Sequence, residues 1–178
     1  ARTNVVILSP ADHSRATGDE ATYSEDSGEL TLTGHAEWQD DRRLMKAHSL
    51  TYNRTNNFFR ARQNAFLKML VAALGRPQSW MSPSGAGSQP SPLTNQAIEG
   101  TCQEFDYQEP WVTFRNGVNG RLLDGDRVLG TLECATAGLK FRSNQLERVE
   151  LDRTVRVEQL PLGNPRLSRV GRTLRCER

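Results

Sequence analysis

The chain has 178 residues, 36% of them hydrophobic and 25% charged, with a formal charge of +2. That length buries a core in one domain, and the ordinary charge content excludes wholesale disorder, but the thin apolar fraction predicts a sheet protein with much solvated face. No run of eighteen apolar residues marks a membrane helix.

The sequence begins with Ala1 rather than Met and reads as a processed chain; a segment preceding it is expected to supply targeting and, where present, an inner-membrane tether. "NVVIL" at 4–8 is a β-prone apolar run that predicts an edge strand, with Val5, Val6 and Ile7 available for pairing. "DHS" at 12–14 sets Asp, His and Ser side by side. A catalytic triad needs convergence in space rather than adjacency, and no Gly-x-Ser-x-Gly turn accompanies it.

"GELTLTGHAEW" at 28–38 alternates apolar and polar residues until Gly34 falls on the apolar register. The pattern recurs. Shifting by 29 residues places Tyr23 on Tyr52, Ala21 on Leu50, Leu30 on Phe59, Leu32 on Ala61, Ala36 on Ala65 and Trp38 on Leu67, with Gly34 on Gln63. A third copy runs through Phe105, Tyr107, Val112, Phe114, Asn116, Val118 and Gly120, and a fourth through Leu139, Phe141, Val149, Leu151, Arg153, Val155 and Val157. Period-2 alternation is the pattern of a half-buried strand. "SEDSG", "NRTNN" and "QEP" at 24–28, 53–57 and 108–110 carry turn chemistry. The unit is therefore a hairpin, and hairpins that cannot bury their apolar faces singly must stack. The break at Gly34, Gln63, Asn116 and Arg153 predicts either a bulge that bends the strand or a gap facing a bulky neighbour.

"NAFLKMLVAALG" at 64–75 suits a strand or a short helix, whereas "RPQSWMSPSGAGSQPSPLTN" at 76–95 reads as a flexible loop. Trp80 and Met81 stand alone in it, either as a partner hook or tucked onto the surface. "DGDR" at 124–127 lacks the further oxygen ligands of a calcium loop and predicts a turn. Residues 140–178 hold ten Lys/Arg against five Asp/Glu. They permit an anionic partner, and 161–178 is expected to be a solvated basic tail. The expected organisation is one domain, 1–178, with a hairpin set at 1–75, a loop at 76–97, a second set at 98–160 and the tail.

Cys102, Cys134 and Cys176 lack CxxC spacing, so a zinc or dithiol site has little support. Cys102 and Cys134 are either a disulfide or two buried thiols. His35, Glu37 and His48 are metal-ligand types but lie on the polar face, and the carboxylate pairs Asp40/Asp41 and Glu25/Asp26 fall in turns rather than across a cleft. No cofactor and no metal is expected. Tyr23, Tyr52, Tyr107 and Phe141 share the register of Leu50 and Leu139, which makes them core residues rather than a nucleic-acid stacking platform.

"GDEATYSEDSGELTLTGHAEW" at 18–38 and "KAHSLTYNRTNNFFRARQNAFL" at 46–67 resemble the repeat of the OstA-like lipopolysaccharide transport family, to which LptA, LptC and the N-terminal part of LptD belong. The resemblance is clear over about 16–69 and weaker over 98–157. It departs where Gln63 and Asn116 stand for glycine and where 70–97 interrupts the repeat. It implies an all-β elongated β-roll, or β-jelly roll, of antiparallel hairpins, with a non-enzymatic periplasmic role in outer-membrane biogenesis. Acyl chains would lie inside, against Leu30, Leu32, Trp38, Leu50, Tyr52, Phe59, Val112, Phe114, Val118, Phe141, Val149 and Val155. Arg42, Arg43 and Lys46 at the rim would meet lipid phosphates. Terminal strands, here Val5–Ile7 and the stretch with Val155 and Val157, would pair edge to edge with other OstA-like proteins. The competing class is a scaffold or carbohydrate-binding β-sandwich without lipid cargo, with Trp38, Trp80 or Trp111 exposed as a sugar platform.

Overall fold

Alternation and turn chemistry produce strands and nothing else among the described residues of the computed structural model, which are 2–10, 12–71, 96–143, 145–159 and 167–177. The strands are β1 (Arg2–Ser9), β2 (Ser14–Ser24), β3 (Glu29–Gln39), β4 (Arg43–Asn53), β5 (Phe58–Val71), β6 (Gln96–Gln108), β7 (Trp111–Asp124), β8 (Arg127–Arg142), β9 (Gln145–Gln159) and β10 (Leu167–Glu177). Their order in the single sheet is their order in the chain. All neighbours are antiparallel, and β1 and β10 are left as the two edges.

The turns form as their residues dictate. Asn53 Oδ1 accepts from the backbone N–H groups of Thr55 (3.0 Å) and Asn56 (3.3 Å), closing "NRTNN" on itself. Gly125 takes φ +58° in the two-residue turn between Asp124 and Arg127.

Apolar side chains then line up in rows across the strands. One row runs Leu30, Tyr52, Phe59, Tyr107, Val112, Leu139 and Val149; the next runs Leu32, Leu50, Ala61, Phe105, Phe114, Ala137 and Leu151. Every strand pair shows a register shift at one common level. In β3, β5, β7 and β9 that level holds two consecutive left-handed residues: Gly34-His35, Gln63-Asn64, Asn116-Gly117 and Arg153-Thr154. The break in the sequence repeat is thus a line of bulges. Two residues of β3, β5 or β7 oppose one of β4, β6 or β8, as Gly34-His35 opposes His48, and bulges of this kind bend the strands that carry them.

The sheet folds along that line, and residues on either side of it meet. The rings of Trp38, below the line, and Phe59, above it, lie 4.7 Å apart. A Cβ on Gly100, below the line in β6, would stand 2.8 Å from Phe114 Cε1 above it. The core between the halves is one cluster from Ala16 to Val155. This is the all-β jelly roll of stacked hairpins that the repeats predict.

Four expectations are corrected. Residues 64–71 extend β5, and its ladder with β6 runs from Phe58↔Gln108 to Val71↔Gln96, so 70–71 and 96–97 belong to the sheet and β6 starts ahead of 98, while the loop expected at 76–95 lies outside the described residues. Residues 167–177 form β10 rather than a basic tail. β9 is consequently interior: Val155 and Val157 belong to a strand paired on both sides, and Val155 is 1% exposed. Tyr23 is 58% exposed, because β1 pairs with β2 only as far as Glu20 and leaves Tyr23 a neighbour on one side alone. Trp80 and Met81 lie outside the described residues.

Candidate functional site

Among the described residues, the roll opens at the β1 end. There a groove of about 540 Å³ is lined on its floor by Leu30, Leu32, Trp38, Leu50, Tyr52 and Phe59, with Ile7 and Tyr23 beside them. Its polar margin comes from Ser9, Asp12, Ser14, Arg54 and Asn57. The aromatic floor is itself packed: Tyr52 stacks on Phe59 with ring centroids 4.4 Å apart.

Six of the twelve sequence-predicted interior residues therefore line one open groove. Val112, Phe114, Val118, Phe141 and Val155 are buried, and Val149 is half-buried, in the continuous core beyond it. That segregation follows the strands: the groove residues lie on β3, β4 and β5, where the short edge strand β1 contributes Ile7 to the same groove, and the other six lie on β7, β8 and β9.

The three rim cations do not converge. Arg42 is exposed, and Lys46 points to the outer face, where its Nζ lies 2.8 Å from Glu37. Arg43 turns inward, since it shares the parity of the buried Met45 and Ala47. Its guanidinium donates to Asp40 Oδ2 from Nε (2.9 Å) and Nη2 (2.6 Å) and lies 5.0 Å from the Trp38 ring and 5.1 Å from the Tyr107 ring. Burial opposes its charge, but Asp40 and Tyr107 outweigh burial and raise its pKa. Arg43 is thus an internal strut at the groove wall rather than a free phosphate clamp. Parity with Met45 was the signal that identifies it.

Edge strand β1 presents Val6 and Leu8 outward, 53% and 67% exposed, and Ile7 toward the groove. Its far side pairs with no described strand.

The other side chains that the sequence singled out do not converge among the described residues. No three His, Cys, Asp or Glu side chains gather as a metal-holding group. His13 Nδ1 lies 3.6 Å from Asp41, while Ser14 donates to Asp12, so "DHS" forms no relay. Cys102 and Cys134 are free and buried. They face Val118 from opposite sides, which puts them two strand spacings, about 10 Å, apart and beyond disulfide reach. Burial pushes both thiols up to about 11.

No family model matches the chain, and no curated protein matches it. Among solved structures it is similar to LptH of Pseudomonas aeruginosa, the LptA-homologous periplasmic component of that organism's lipopolysaccharide transport device. The TM-score is 0.53 at 10% identity, over 77% of this chain and 84% of that one. The chain accordingly shares its all-β roll fold with that protein.

Proposed function

We propose that this chain is a non-enzymatic periplasmic carrier of lipopolysaccharide, receiving acyl chains in the β1-end groove and passing them along a roll continued by partner molecules. The carrying observation is the groove itself: an apolar floor of Leu30, Leu32, Trp38, Leu50, Tyr52 and Phe59 under a polar margin, in a fold with an open edge beside it. Acyl chains need a water-free apolar lining, and a headgroup needs polar groups at the mouth. Trp38, 9% exposed, is part of that lining and unavailable as a flat sugar platform. The edge of β1 would extend the groove by strand addition with another OstA-like protein.

Native mass spectrometry of detergent-free protein mixed with lipopolysaccharide tests the reading. The expected result is a stoichiometric adduct that disappears in Leu30→Arg, a half-buried lining position where the longer side chain blocks the groove, with the circular dichroism spectrum unchanged. A folded wild-type chain with no adduct overturns the carrier reading in favour of a scaffold.

A further inference from the structure

The outer face of the sheet carries a second concavity that the lipid reading does not use. It lies over β7, β8 and β9, has a volume of about 360 Å³ and is lined by Trp111, Thr113, Thr136, Gly138, Glu150 and Asp152. These residues alternate with the buried Val112, Phe114, Ala137, Leu139 and Leu151, so they stand on the opposite side of the sheet from the core.

Register builds the cleft. Thr113, Gly138 and Glu150 are lateral neighbours on three successive strands, and Thr136 pairs with Asp152 one step along. Gly138 supplies a floor without a side chain. A Cβ there would come within 3.7 Å of Trp111 Cζ3, which places the indole at the cleft wall. The two carboxylates are already matched by cations: Glu150 Oε1 lies 2.6 Å from Arg148 Nη2, and Asp152 Oδ2 lies 3.4 Å from Arg153 Nε.

We infer that this cleft is a binding subsite for the ring of a neutral hexopyranose. An indole at a cleft wall offers a flat apolar surface for the C–H face of a pyranose, and a large rigid aromatic confers contact area at little entropic cost. Threonine hydroxyls donate and accept, and carboxylate oxygens accept, around the ring's hydroxyls. Charge pairing selects against the other ligand that an aromatic-plus-carboxylate site attracts, an organic ammonium: Arg148 and Arg153 have neutralised the field such a cation would need. The subsite is on the other face from the acyl groove, so it does not rest on the lipid reading.

The test is a ¹H–¹⁵N titration of the full chain with a panel of methyl hexopyranosides and, separately, with tetramethylammonium chloride, following the Trp111 indole N–H assigned by its loss in Trp111→Phe. The expected result is a saturable shift with at least one glycoside at millimolar concentration and none with tetramethylammonium. Gly138→Val fills the floor at a position where a Cβ meets only ordinary contacts; it should weaken glycoside binding at least tenfold while the remaining spectrum is retained. Absence of a saturable glycoside shift, a response to tetramethylammonium alone, or undiminished binding by Gly138→Val overturns the assignment.

Discussion

Asp19 fills the space that a side chain on Gly34 would need at the bulge line: a Cβ on Gly34 would collide with the Asp19 carboxylate, and Gly34 itself takes φ +70°. Asp19 is held there by His35, whose Nδ1 lies 3.0 Å from Asp19 Oδ2. Gly34→Ala must therefore both populate the left-handed region, at about 1–2 kcal/mol, and turn Asp19 away. Gly117, at φ +82° with nothing within 4 Å of a would-be Cβ, isolates the first effect. Urea denaturation should show Gly34→Ala losing more stability than Gly117→Ala, and the cost of Gly34→Ala should be smaller in an Asp19→Gly background, which removes both the carboxylate and the Asp19 Cβ that would lie 2.8 Å away. Equal losses in the two single variants would show that Asp19 yields freely.

Asp106 gives the stability of the outer face a pH dependence. Burial alone would raise its pKa, but hydrogen bonds from Arg60 Nε (2.8 Å) and Arg115 Nη1 (2.7 Å) outweigh burial and hold it below the ordinary 3.8. A carboxylate depressed in the folded state stabilises fully above its unfolded pKa and loses that contribution as pH falls through the folded one. The contribution of Asp106 should be constant above about pH 5 and decline below about pH 4. Asp106→Asn should cost about 1–2 kcal/mol at neutral pH and flatten the acid limb of stability against pH. Both arginines are about two-fifths exposed and can turn to water, which keeps the figure small. An acid limb identical to wild type would assign the acid sensitivity to other carboxylates.

The repeat and its fixed break were legible because strand alternation and turn residues are local signals. The fold line through Gly34, Gln63, Asn116 and Arg153 follows from position alone, although only one of the four is glycine. Less legible were features set by neighbours. Tyr23 keeps the parity of Leu30's row yet lies beyond the end of β1, a length that alternation in β2 cannot report. Arg43 sits among other cations in sequence, and only its parity with Met45 reveals that it turns inward. β10 is masked by its own arginines. The Trp111 cleft needs three strands in register, so no single stretch announces it.

Cys102 and Cys134 provide a probe of opening. Each thiol donates to a nearby carbonyl, Cys102 Sγ to Glu104 O (3.0 Å) and Cys134 Sγ to Thr136 O (3.2 Å), and burial pushes both up to about 11. Since the thiolate is the nucleophile, native protein at pH 8 should hold these two in an inert form. In a Cys176→Ser background, labelling by a thiol reagent should proceed only at the rate of unfolding, and reductant should leave the unfolding transition unmoved. Rapid labelling of the native chain would mean that the roll opens locally at the bulge line.

β1 carries an apolar outward pair, Val6 and Leu8, and beyond Arg2 at its start its stretch Val5–Ser9 has none of the charges that natural proteins place on edges to prevent pairing. β10 is the edge at the opposite end of the sheet. Two different edges of one chain can join only head to tail, and such a contact repeats from molecule to molecule instead of closing on a twofold axis. Sedimentation velocity should then show a mass that rises with concentration without a limiting dimer. Val6→Lys with Leu8→Lys leaves Ile7 in the groove and the β1–β2 ladder intact, yet adds two like charges wherever a second strand would lie. This variant should remain monomeric over the same range with an unchanged circular dichroism spectrum. A wild-type chain that stays monomeric throughout would overturn self-association through β1, and a limiting dimer would replace the head-to-tail arrangement with pairing of like edges.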